Sequence, residues 1–200
     1  MKYSDANKAS SHTDIPQVES IIKEHSVFID SRDRNRELYP NTNEFVVHFD
    51  GSGIVDSAGA IVEESFSDIH SIELVHCVIP NSVIGVTGAH YLTLEIPELD
   101  NSFTGTNDTL QRAFGYLSPK DAIGDTHVAT KFYRRTRKVF SPPKASLGKL
   151  TLRFRKPDGT LFDFGADTAA GNPVTEAVQV LVHLDIHTIH RKPTNRIHFR

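Results

Sequence analysis

Apolar and polar residues alternate in several short stretches of this chain, each bounded by turn-forming residues. Phe45, Val47 and Phe49 alternate with Val46 and His48, as a half-buried strand requires. Leu92, Leu94 and Ile96 are spaced by Thr93 and Glu95; Leu150, Leu152 and Phe154 are spaced by Thr151 and Arg153. Lys156-Pro157-Asp158-Gly159-Thr160 then places proline at the first corner of a turn and glycine where a positive φ is needed. Leu161, Phe162 and Phe164 are therefore predicted to return as the second strand of a hairpin. Val178, Val180, Val182, Leu184 and Ile186 keep one parity through a long last strand. The stretch from Ile69 to Ile79 is apolar on both parities, which predicts a strand covered on both faces and ended by Pro80-Asn81.

Helical signals are few. Asp14 and Gln17 have the spacing of an N-cap and its partner, with Pro16 in the first turn before Val18, Ile21 and Ile22. They predict a short helix start within an otherwise polar N-terminal arm, residues 1–26. Thr106 or Asn107 can cap one internal helix carrying Leu110, Phe114 and Leu117, stopped by Ser118-Pro119. Strands without βαβ alternation argue for antiparallel sheets stacked as a sandwich. An all-β, eight-stranded jelly roll fits the count and the length. The expected division is an arm at 1–26, a jelly-roll domain at 27–190 and a basic tail at 191–200.

Length and composition agree with one domain bearing arms: 200 residues, 38 % hydrophobic and 24 % charged. No run approaches the ~18 apolar residues of a membrane span, and the polar start predicts no secretory signal. The single Cys77 allows neither an intrachain disulfide nor a cysteine-rich metal site. Charge is divided along the chain. Residues 1–100 carry 6 basic and 17 acidic side chains, whereas residues 101–200 carry 16 basic and 8 acidic. Such a chain is a folded dipole, or presents two patches that pair with neighbours, unless folding interleaves the halves.

Candidate chemistry is sparse. There is no Gly-x-Ser-x-Gly elbow, and Cys77 lies within an apolar strand, where a thiol is usually inert packing. Gly51-Ser52-Gly53 lacks the residues of a phosphate cradle and reads as a loop. Asn107-Asp108-Thr109 is formally a glycosylation sequon, of little meaning without a secretory signal. His183, Asp185 and His187 share one strand face and form a known iron ligand set. However, an ideal strand separates the two histidines by ~13 Å, so an ion would need a ligand from elsewhere, such as His76 or His127. Polar residues on a solvent face explain them more simply. No catalytic, cofactor or metal residue is therefore assigned.

Surface charge offers more. Lys131-Phe132-Tyr133-Arg134-Arg135-Thr136-Arg137-Lys138 holds five positive charges with aromatics interleaved, and Arg191 to Arg200 holds four without an acid. Such segments can bind nucleic acid or meet an acidic protein neighbour, if they are not simply solvated. Asp30-Ser31-Arg32-Asp33-Arg34-Asn35-Arg36 alternates in sign, which favours local ion pairs and capped turns. Arg32, Arg34, Arg36, Arg134, Arg135 and Arg137 are the candidate partner-contact residues.

Several segments, in order, carry a resemblance. They run from Val27-Phe28-Ile29-Asp30-Ser31-Arg32-Asp33-Arg34-Asn35-Arg36 through Tyr39-Pro40-Asn41 and Asn43-Glu44-Phe45. Ile72-Glu73-Leu74, Ile79-Pro80-Asn81 and Leu94-Glu95-Ile96-Pro97-Glu98-Leu99 follow, then Gly105-Thr106-Asn107, Ala113-Phe114 and Leu117. Pro142-Pro143, Leu147, Leu150-Thr151-Leu152 and Pro157-Asp158-Gly159-Thr160-Leu161-Phe162-Asp163-Phe164 close the series. This order resembles the penton and minor capsid proteins of large icosahedral double-stranded DNA viruses. The resemblance spans residues 27–165 and implies a single jelly roll acting as a capsid building block, without enzymatic activity or cofactor. It implies a place in the virion, after assembly in the host cytoplasm. Implied partners are further copies in a homopentamer, the major capsid protein and other minor capsid proteins; nucleic acid and a membrane span are not implied. A five-fold vertex position suits one sandwich with two-signed charge, and a cement position beneath the lattice is the alternative. A cupin-like enzyme or sugar-binding module is the more distant rival, and would need histidine and carboxylate ligands converging from several strands.

Overall fold

The computed structural model describes residues 20–49, 60–80, 91–99, 103–117 and 136–192, together with the backbone of 127–129. Ten strands are described: β1 (Ser20–Asp30), β2 (Glu44–Phe49), β3 (Ala60–Val62), β4 (Ser67–Pro80) and β5 (Leu92–Glu95), followed by β6 (Gly115–Leu117), β7 (His127–Ala129), β8 (Thr136–Ser146), β9 (Lys149–Arg155) and β10 (Leu181–Arg191). They form two five-stranded sheets. In the first the order is β1-β10-β4, and both β7 and β8 pair with the far side of β4. In the second the order is β3-β2-β9-β5-β6. Pairing is antiparallel throughout except between β2 and β3. The all-β expectation holds, as does the stacking of two sheets over one core.

That core is built by the predicted alternation. Phe45, Val47 and Phe49 of β2 meet Leu150, Leu152 and Phe154 of β9 and Leu92 and Leu94 of β5, all buried. Across the sandwich lie Val27 and Ile29 of β1, Val182, Leu184 and Ile186 of β10, and Ile72, Leu74, Cys77 and Ile79 of β4. Each such side chain contributes about 1.5–3 kcal/mol by leaving water. β6 comes close because Gly115 has no side chain; a Cβ there would stand 2.5 Å from a methyl of Leu74.

β4 explains its own double parity. The prediction was burial of both faces, but the register with β10 slips twice: Leu184 faces Leu74 while His183 faces His76, and Thr188 faces Ile69 while His187 faces Ser71. The extra residues, Val75 and His70, are β-bulges, and each bulge reverses which parity points inward. Apolar residues on both parities are thus needed to keep one face continuous.

Several boundaries differ from expectation. Residues 20–26, assigned to the arm, are strand: Ser20 to Asp30 pair without a slip against Arg191 to Leu181. Ile21 and Ile22 belong to that strand rather than to a helix, while Asp14, Pro16, Gln17 and the rest of 1–19 lie outside the described residues. The internal helix α1 is one turn, Asp108–Gln111, capped by the side chain of Asn107 on the Leu110 N–H at 2.9 Å. Phe114 follows it and Leu117 lies in β6, because Phe114 is already donating its N–H to Leu94 O. The hairpin after β9 also shortens. Gly159 takes the predicted positive φ (87°), but pairing stops at a single bridge between Arg155 and Leu161. Val178 sits in a 3-10 turn, so the last strand starts at Leu181. β8 was not anticipated at all. The loop at Gly51-Ser52-Gly53 and the tail from Pro193 lie outside the described residues, and Arg191 closes β10. No described helix is long and apolar enough to cross a membrane.

Cys77 is fully buried, and loss of solvation pushes its thiol far above the usual range. Folded protein is therefore expected to react with a thiol reagent such as DTNB only at the rate of unfolding. Rapid labelling without loss of structure would contradict that burial.

Candidate functional site

Three polar surfaces collect the residues singled out by the sequence. The first is the corner after β1. The carboxylate of Asp30 accepts from the Arg32 N–H at 2.9 Å and so caps the short 3-10 turn Ser31–Asp33. Arg32 returns to Asp30, its Nε at 2.8 Å, and reaches Glu176 at 3.6 Å, leaving its guanidinium half exposed. Arg36 lies on the surface and donates to Thr168 Oγ1 at 3.3 Å and to the Asn172 carbonyl. Local pairing and capping were expected from the alternating signs.

Arg34 is a correction. Proposed as a partner contact, it exposes none of its side chain, and neither does Asp167, its ion-pair partner at 2.8 Å. All five guanidinium N–H donors are used: on Tyr39 O (2.8 Å), Ser31 O (2.7 Å), Gln179 Oε1 (3.0 Å), Pro40 O (2.9 Å) and Asp167 Oδ2. Asp167 also accepts from the N–H groups of Thr168 and Thr175 and from Gln179 Nε2. Burial alone would raise this carboxyl, but the donors from Thr175, Arg34, Gln179 and Thr168 outweigh it and hold the group well below the usual carboxylate range. The cluster pins the corner to the segment that precedes β10.

The second surface is the outer face of the first sheet. Directly opposed residues share a face, so three rows cross it: Phe28–His183–His76, Ser26–Asp185–Glu73–Arg137 and Glu24–His187–Ser71–Val139. His183, Asp185 and His187 thus point the same way, as the spacing required. They do not converge on one point. His183 Nε2 lies 3.2 Å from Asp185 Oδ1, which also accepts from Ser26 Oγ at 2.7 Å; His187 Nε2 instead lies 3.3 Å from Glu24. The ring of Phe28 stacks on His183 at 4.1 Å. Among the described residues no group of three or more histidine, cysteine or carboxylate side chains is placed to hold a metal ion. The side chain of His127 lies outside the described residues.

The third is a basic hairpin. Residues 126–157 contain ten lysines and arginines and no acid. In β9 these charges are matched from the flanking strands: Arg153 Nε reaches Glu44 at 2.7 Å and Arg155 pairs with Glu95. Glu98 accepts from the Thr151 N–H and hydroxyl at 2.8 and 2.7 Å. β8 is met by groups of β4 and of the turn after β5. Arg137 stands opposite Glu73 and donates to Ser71 Oγ at 3.0 Å, and Lys144 approaches the Glu98 carbonyl at 3.4 Å. Arg134 and Arg135 lie outside the described residues. The sequence reading missed Asp167, Gln179 and the Glu44–Glu95–Glu98 set. Glu44 and Glu95 flank or alternate with predicted core positions, which names no partner, and Asp167, Gln179 and Glu98 carried no local signal.

No protein-family model matches the chain. It is similar to an uncharacterized protein of Acanthamoeba polyphaga mimivirus, 23 % identical over 172 aligned residues. The match covers 69 % of this chain and spans 59 % of the relative's length.

Proposed function

We propose that this protein is a structural subunit of the shell of a large icosahedral DNA virus, and that its place is the five-fold vertex. The observation that carries this reading is strand order. Leaving aside β3 and β7, the sheets run β1-β10-β4-β8 and β2-β9-β5-β6. Eight strands in that order, four to a sheet, match what a jelly roll requires and so support that reading, an architecture common in viral capsids. The similarity to a mimivirus protein points the same way. In this reading the chain acts by its surfaces, without cofactor or catalysis, and assembles in the host cytoplasm into the virion.

A five-fold ring repeats one head-to-tail contact, which sets unlike surfaces together. The basic β8 side suits that geometry, facing an acidic surface of the next copy. Native mass spectrometry of the full chain is expected to give a pentamer that weakens as salt is raised. Arg134→Glu, Arg135→Glu and Arg137→Glu together should dissociate it without changing the circular dichroism. A monomer at all concentrations that binds the major capsid lattice would favour the cement position; a stoichiometrically bound metal would favour a cupin-like protein.

A further inference from the structure

We propose that β1 is a self-recognition edge, through which two copies of this chain pair β1 against β1, antiparallel, about a two-fold axis at His25. β10 covers one side of β1, and among the described residues no strand pairs with the other. Edge strands are usually blunted by proline, a bulge, brevity or charged side chains. β1 has no proline or bulge and runs eleven residues in unbroken register; its charges before the terminal Asp30 are Lys23 and Glu24, the latter 3.3 Å from His187 of the same sheet. Its backbone donors and acceptors on the free side form a template for another strand.

The side chains say which strand fits. Of the large apolar residues left exposed, Ile21 (38 %), Ile22 (51 %), Phe28 (62 %) and Ile61 (49 %) lie along this one side of the sandwich. Phe28 and Ile61, with Ile29, Val47, Ala60 and Val62, line a cleft of about 270 Å³ at the end of β1, whose rim also carries Asp30 and Asp33. The start of the strand therefore carries two apolar projections, and its end carries a cleft whose apolar part is formed by Phe28, Ile29, Val47, Ala60 and Ile61. With His25 on the axis, Ile22 of each copy faces Phe28 of the other and Ile21 faces Ile29. Each copy's projections meet the other's cleft.

Charge agrees with the register. Glu24 then faces Ser26, Lys23 faces Val27 and Ser20 faces Asp30, so no like charges are opposed. Arg191, paired with Ser20 within its own chain, comes two strand spacings from Asp30 of the second copy, about 10 Å. Nor does His25 bring an unmet polar group to the axis, because its nitrogens lie 3.1 Å from Thr188 Oγ1 and 3.4 Å from Glu64 in the same chain. This isologous contact is separate from the head-to-tail contact of a ring.

The test is a mixed disulfide in the full chain, which does not depend on whether rings form. Residues opposed across antiparallel strands lie about 4.5–5.5 Å apart at Cα, within disulfide reach. Cys77 is buried and supplies an inert background. On mild oxidation, Ile22→Cys mixed with Phe28→Cys should give a covalent dimer, whereas either variant alone should give little. As a second measurement, Phe28→Asp should raise the dissociation constant of the two-fold contact about 30-fold by sedimentation velocity, with the fold intact by circular dichroism. No mixed dimer, or equal dimer from each variant alone, would overturn the pairing. So would self-association unmoved by Phe28→Asp, as would follow if residues 1–19 of the same chain occupy this edge.

Discussion

Arg34→Ala is expected to lower the unfolding free energy by about 3–5 kcal/mol, because it strands Asp167 as a buried charge without its counter-ion. Five acceptors lose a guanidinium donor at once, and among them the carbonyls of Tyr39 and Pro40 are backbone groups that the chain cannot reorient. Arg34→Lys should recover only part of the loss, since an ammonium has three donors and cannot reproduce the planar fork. Urea unfolding at neutral pH measures both; an unchanged midpoint in Arg34→Ala would show that the pin is not used. Acid gives an independent reading. The folded Asp167 carboxyl is held below its unfolded value, so its contribution is complete above about pH 4–5 and fades as pH falls further. Asp167→Asn should flatten that part of the pH–stability curve while lowering stability at neutral pH.

Phe162→Ala is expected to cost about 3–5 kcal/mol, as truncation of a fully buried ring does. The position matters because pairing beyond the turn is so brief. One bridge and the Phe162 N–H on Phe154 O, at 2.8 Å, are the backbone contacts there. Side chains hold the segment instead. Phe162 and Phe154 each pack edge-on against Phe164, with centroids 4.9 and 5.4 Å apart. Differential scanning calorimetry would show a fall in Tm of several degrees. A shift under one degree would mean that the cleft closes over the missing ring.

The contrast between Phe162 and β8 defines what could be read from residues alone. β2 and β9 are central strands with one wetter face, so water imprints a period of two on them, and β5 keeps the period because Thr93 and Glu95, though buried, lie on the face away from the core. β4 carries that imprint too, but two bulges break its phase, and a broken phase looks like burial on both sides. Among the described strands β8 has only β4 beside it; it contains Pro142 and Pro143 and leaves Val139 exposed, so burial never sorts its residues into alternating classes. The first half of β1 fails to alternate for the same reason. Leu161 to Phe164 does the reverse, keeping the period of a strand because alternate side chains enter the core, although the ladder has ended. Arg34 was misread because dense charge normally marks surface. What makes it interior is Asp167, 133 residues away, and no local pattern carries that information.

β1 also constrains when the molecule can be finished. It lies beside β10 and no other described strand, so Val27 and Ile29 have no sheet to join until Leu181 to Arg191 have left the ribosome. At ~5–20 residues per second, the ~160 residues between them take roughly 8–30 s to make. The second sheet can join β2 to β5 only once β9 has been made, late in that interval, and the earliest strand stays without its partner throughout. Among the described strands the latest, β10, closes the first sheet around the earliest, so that sheet cannot be completed before residue 191 has emerged.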